Sequence, residues 1–281
     1  MDLSIFGYQF MQNAIIATLL GGATCGTIGV FVVLLHMPFI GVAMSHAAFA
    51  GALLGLWLGF DPLIGAFIFS LGVSLVIGPL ADRGELSPEM SLGAVFSLML
   101  GLAFLFIGII PSTRSEALGL LWGSILTVSR GDVTLLAIVA LLVIGLVIVF
   151  AKEIQATIFN RNVALAVGIP ATIVLYGIIF LTGATITATF RPIGGLLIFS
   201  LILNPAAAAY QLTYSMKRMF FLSAGFGVLA GWTGLLFSYL FNIPSGATIV
   251  VTSSIIFIIA VIFSPKKRVK SWRPGKALET K

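Results

Sequence analysis

The chain has 281 residues, 59% of them hydrophobic and 9% charged, with 15 Lys and Arg against 9 Asp and Glu for a net charge of +6. A soluble domain carries about 25% charged residues, so this composition excludes a water-soluble globule and points to a chain solvated by lipid. Seven of the 15 basic residues lie between Lys266 and Lys281, which reads as a tail against anionic headgroups and not as a nucleic-acid surface.

The first stretch, Met1 to Ala14, carries Asp2 and no Lys or Arg. It lacks the basic head of a cleaved signal peptide and leads directly into the first span. A bilayer core takes about 20 apolar residues per helix. Nine candidate spans follow, at 12–35, 42–59, 63–81, 90–110, 133–151, 169–189, 193–214, 219–241 and 246–263, with eight or nine of them crossing. The breaks carry Pro, Gly or charge, as at Met37-Pro38, Phe60-Asp61-Pro62, Arg191-Pro192, Lys217-Arg218 and Asn242 to Gly246. Between the fourth and fifth spans, Pro111 to Asp132 is too polar to cross and predicts a short amphipathic helix on the outer surface. The second span places Ala43, Ala47, Gly51, Gly55 and Gly59 at i+4 spacing, and the first has Gly22 and Gly26. Small residues in such rows let helix backbones approach closely in lipid, which predicts a compact bundle.

With the C-terminus inside and all nine spans crossing, the inner segments hold 12 of the 15 basic residues and the outer ones only Arg114, Arg130 and Arg191. The positive-inside rule therefore predicts N-terminus out and C-terminus in.

The spans hold no Asp, Glu, Lys or Arg; His46 is the one ionisable side chain well inside, with His36 at the inner boundary of the first span. Membrane-buried carboxylates and basic groups serve as proton relays, and this chain offers none. A Walker A phosphate loop is also missing, since Gly275-Lys276-Ala277 lacks the Ser or Thr and the upstream glycine. The chain is thus expected to be neither an ATPase nor another enzyme, with no cofactor. Any active transport must draw on a partner. His46 is either a helix-to-helix hydrogen-bonding group or a pathway group, with Met44 and Ser45 beside it and Cys25 on the preceding span. Cys25 is the only cysteine, so no intrachain disulfide forms. Inside, Lys152 to Gly168 places Phe159, Val163, Ala164 and Val167 at helical spacing, with Gly168 as a C-cap. That segment is either an interfacial anchor or a knob that engages an ATPase.

Several segments resemble the permease family of zinc, manganese and iron ABC importers. Gly41-Val42-Ala43-Met44-Ser45-His46-Ala47 is similar to the family's Gly-Asp-x-x-Ser/Ala-His-Ala motif, and Glu89 to Ser97 to its Asp-Thr-Ala-x-Gly-x-x-Phe-Ser. Leu121 to Leu126 resembles Leu-Phe-Gly-Asn/Asp-Ile-Leu, Gly194 to Ala209 the Gly-x-Leu-Leu…Pro-Ala-Ala helix, and Ile243 to Thr248 the Leu-Pro-Ser-Gly-Ala turn. The resemblance implies an all-α bundle over 1–265 with a basic tail at 266–281, in the plasma membrane of a prokaryote. It implies a homodimer, two cytoplasmic ABC ATPase subunits and an extracytoplasmic metal-binding protein that delivers manganese, zinc or iron. It places a coupling helix over 157–168, with Phe159, Asn160, Ala164 and Gly168 facing the ATPase, and makes His46 a metal contact. The family's Asp four residues before the His is Val42 here. The site then rests on His46 with neutral groups, or on a softer set with Cys25 and Met44, or serves another cargo such as a metal chelate. A secondary transporter is the further alternative, and the missing carboxylates count against it.

Overall fold

The computed structural model describes residues 7–83, 88–110, 119–120, 123, 125–194 and 198–266. Half of the segment expected as an outer amphipathic helix lies outside these, as does the tail beyond Lys266. Eleven α-helices are described: α1 Gln9–Leu34, α2 Phe39–Leu58, α3 Pro62–Arg83, α4 Pro88–Ile109, α5 Arg130–Val149, α6 Ala151–Phe159, α7 Arg161–Ala166, α8 Ala171–Ile193, α9 Ile198–Leu212, α10 Met216–Phe241 and α11 Ser245–Ile262. Eight are long and apolar enough to cross a bilayer. The ninth expected span is α9, whose 15 described residues reach about 22 Å at 1.5 Å each, short of the roughly 30 Å hydrocarbon core.

Helix ends follow local chemistry. Asp61 opens α3 by accepting Leu63 N–H at 2.8 Å, with Pro62 in the first helical position. Ser129 and Asp132 form a reciprocal capping box on α5. His36, with φ 57°, closes α1: its N–H reaches Val33 O and the next N–H, of Met37, reaches Val32 O. That is a Schellman end with histidine in the left-handed position, and it accounts for His36 without a ligand role. One expected break moves. Arg191-Pro192 does not end its helix; α8 runs on to Ile193 and stops at Gly194, with φ 96°. A proline in the last turn removes a single hydrogen bond, whereas the positive φ at Gly194 turns the chain out of the helix.

The bundle has two packs. In one, α1 lies against α9 and α10, and α11 closes on α9 and α10; in the other, α2 lies against α3, α4 and α8. α8 joins them, touching α1, α2, α3 and α5. Small residues set the spacing. A Cβ on Gly22 would stand 2.6 Å from the carbonyl carbon of Gly227, and Gly51 and Gly65 meet in the same way between α2 and α3. Ser223 Oγ donates to Gly26 O at 2.6 Å, adding a buried hydrogen bond to the α1–α10 crossing.

Candidate metal path and inner-face surface

α2 is buried along most of its length, but Val42 and His46, one turn apart, are only half-buried. They share a face because residues four apart stack along a helix. The His46 ring meets Phe96 of α4 edge to face, with centroids 4.9 Å apart and planes at 76°. His46 Nδ1 is buried and makes no hydrogen bond, as do Ser45 Oγ on the same helix, Ser91 Oγ on α4 and Thr185 Oγ1 on α8. Unpaired polar atoms inside a bundle each cost about 1–3 kcal/mol, and α2, which carries two of these four, packs against both α4 and α8, which carry the others.

The softer ligand set does not assemble around His46. Met44 is fully buried and sits two residues from His46, about 200° round the helix, on another face. Cys25 is fully buried on α1, where its thiol contacts Thr189 Oγ1 of α8 at 3.9 Å. Among the described residues no three His, Cys, Asp or Glu side chains group as a metal cage.

The segment expected as a coupling helix over 157–168 is not a single helix. α6 ends at Phe159, Asn160 is extended, and α7 restarts at Arg161. Asn160 Oδ1 accepts from Asn162 N–H at 3.0 Å and Val163 N–H at 3.1 Å, an N-cap that forces the break. Gly168, with φ 86°, closes the segment as expected. Phe159, 88% exposed, projects outward with Val163 and Val167, but Ala164 is turned into the bundle at 1%. Arg161 reaches Thr172 Oγ1 of α8 at 2.9 Å, tying the two elements. Beside Phe159 a cavity of about 350 Å³ is also lined by Gln155, Tyr210, Tyr214 and Lys266. Lys266 Nζ stands 3.5 Å over the Tyr210 ring and 5.0 Å from that of Tyr214. Partial burial there lowers the Lys266 pKa from its ordinary value.

At the opposite end is a cluster that sequence reasoning did not assemble. Arg191 pairs with Asp61 of the α2–α3 turn and, at 3.4 Å, with Asp132 Oδ1 of α5. Asp132 Oδ2 accepts from Ser129 Oγ at 2.7 Å. Asp61 and Arg191 are 130 residues apart, and each read only as a loop charge. Close by, Ile125 N–H donates to Ser245 Oγ at 3.3 Å, joining two of the motif segments.

A model of the ABC 3 transport family matches residues 7–264. The manganese transport system membrane protein MntC of Listeria innocua is 33% identical over 260 residues, 92% of each chain. The manganese import system permease protein ScaB of Streptococcus gordonii is 31% identical, covering 93% of this chain and 94% of its own. The chelated iron transport system membrane protein YfeD of Yersinia pestis is 27% identical over 94% of this chain and 89% of its own. Among solved structures, PsaBC from Streptococcus pneumoniae in complex with Fab superposes with a TM-score of 0.84 at 31% identity, over 95% of this chain and 96% of that one. With a family match and relatives that both run nearly end to end, this chain belongs to the ABC 3 transport family.

Proposed function

We propose that the chain is the membrane permease subunit of an ABC importer whose cargo is a divalent transition metal, manganese foremost. The end-to-end likeness to manganese transport membrane proteins carries this reading, 92% of this chain against 92% of theirs. Spans whose central turns hold no carboxylate support it too, because they leave energy supply to a separate ATPase. Binding of that ATPase falls to the outward side of Phe159, Asn160, Val163 and Val167, with Gly168 setting the segment's end and Ala164 seating it on the bundle. An extracytoplasmic metal-binding protein would deliver cargo at the end that holds Asp61, Asp132 and Arg191, and the basic C-terminus then lies in the cytoplasm. A second copy of the chain completes the path. Its packing is supported by α4, where Ala94, Gly101 and Gly108 repeat every seven residues on the exposed side and Gly101 and Gly108 face open space.

His46 is the contact for the passing ion. Imidazole suits iron and zinc, while manganese prefers oxygen ligands, so with Val42 in place of an acid the contact to manganese is weak and quick to release. The same valine favours a second reading, in which the cargo is a metal chelate on this scaffold. Metal uptake by the permease reconstituted with its ATPase and binding protein separates these. ATP-dependent uptake of free manganese, reduced at least about tenfold by His46→Ala with assembly intact, is the expected result. Full uptake by His46→Ala removes His46 from the path, and uptake of a chelate alone replaces the first reading with the second.

A further inference from the structure

An imidazole that contacts a metal is ordinarily held by its other nitrogen, which donates to a carboxylate, carbonyl or water and fixes the ring's orientation. His46 has no such hold from protein. Its Nδ1 is buried without a hydrogen-bond partner. The helix positions that stack beside it are Val42, Ala43, Phe49 and Ala50, and none carries a side-chain acceptor. The neighbouring Ser45 hydroxyl is itself unpartnered. What touches the ring is Phe96, edge to face at 4.9 Å. That ring in turn is fixed by α4, which seats the fully buried Leu92 one turn earlier and the nearly buried Val95 beside it. Edge-to-face pairs are favoured because the positive rim of one ring meets the negative face of the other.

We infer that Phe96 is a positioning residue for the metal-contacting imidazole, with an edge-to-face ring contact in place of the hydrogen-bonding partner that would normally orient the histidine; the inference rests on His46 being the metal contact. The exchange has a chemical consequence. A carboxylate partner raises the basicity of a ligating imidazole, and a phenyl ring does not. Phe96 therefore orients His46 without strengthening its hold, which suits an ion that must leave. A Leu at this position keeps the apolar volume and loses the ring, whereas Tyr keeps the ring.

The test uses the purified permease–ATPase complex in nanodiscs, titrated with Co²⁺ and read by its visible ligand-field band. Wild type should show a band that His46→Ala abolishes. Phe96→Leu should raise the half-saturating Co²⁺ about two- to twelvefold and shift the band, while Phe96→Tyr stays within about twofold of wild type. In the His46→Ala background, Phe96→Leu should change nothing further, as expected of residues that act as a pair. If Phe96→Leu fails to assemble, Phe96→Met, an unbranched replacement, takes its place. An unchanged titration for the Leu or Met variant, with the His46-dependent band intact, overturns the role of Phe96 and leaves His46 standing. A band that survives His46→Ala, or none in wild type, removes the imidazole from the metal, and both assignments fall.

Discussion

Gly22→Ala tests whether the bundle is held by backbone contact at its small residues. The added Cβ would stand 2.6 Å from Gly227 C and 2.8 Å from Val228 N, where carbon contacts are normally about 3.5–4.0 Å. The obstacles are backbone atoms, so no rotamer change relieves them and α1 must part from α10 by about 1 Å. Overpacking of this kind costs about 1–3 kcal/mol. Parting also stretches the bond from Ser223 Oγ to Gly26 O, one turn along the same face, and such interhelical bonds in lipid average about 0.6 kcal/mol. Against this, alanine gains about 1 kcal/mol over glycine in a helix interior. The net expectation is a loss of about 0.6–2.6 kcal/mol. Gly225→Ala is the control, since its Cβ would meet nothing within 4 Å on the same α10, and it should be neutral or stabilising. Unfolding of the detergent-purified protein by SDS, followed by circular dichroism, reads both. Equal stability of the two variants would refute the claim that this crossing is set by its glycines.

Arg191→Gln leaves Asp132, whose side chain is 9% exposed, with a charge balanced only by Ser129, and should lower stability by about 1–3 kcal/mol. The Asp61 half of the cluster is 47% exposed, so Asp61→Asn should cost about 0–1 kcal/mol and Asp132→Asn more; the reverse order in thermal melts would contradict the packing described. His36→Gly relieves a left-handed residue at the end of α1 and should raise the thermal melt, by up to about 1 kcal/mol of stability; a melt that falls would contradict this account of the helix end.

Element type was legible because a lipid-solvated chain announces its helices by length and hydropathy alone, and eight spans emerged with ends shifted by a few residues. Gly194 shows where that reading stops. Arg191-Pro192 looked like the break, but a proline tells only that one hydrogen bond is lost, while a single glycine's φ decides where the chain turns. The spacing of Phe159, Val163, Ala164 and Val167 suggested one face; Asn160 split the segment with its own side chain and sent Ala164 inward. His46 stood out as the lone imidazole of the spans. Its partner Phe96 did not, because one of 32 aromatic residues in an apolar chain carries no mark until two helices are seen to touch.

The helix α8 joins the two ends of the molecule, and its contacts define what a push from inside would move. At its N-terminal end Arg161 of α7 holds Thr172 at 2.9 Å, and the buried Ala164 seats α7 on the bundle. At its C-terminal end Arg191 holds both Asp61 and Asp132. Between them α8 packs on α1, α2 and α3, and its Thr185 hydroxyl is buried without a hydrogen-bond partner. A helix of 23 residues spans about 35 Å and is stiff along its axis. On the importer reading, a displacement of α7 by the ATPase therefore reaches the Arg191 ion pairs without passing through a loop. Those pairs are polar contacts that exchange if these ends of α2, α5 and α8 are to part; Asp61 is 47% exposed, so rupture on its side costs little more than a surface salt bridge, whereas the buried Asp132 holds more firmly. A chain whose spans hold no charge in their central turns can thus still be opened from its ends, with work done on α7 and a weak imidazole contact left undisturbed at the centre until the ion departs.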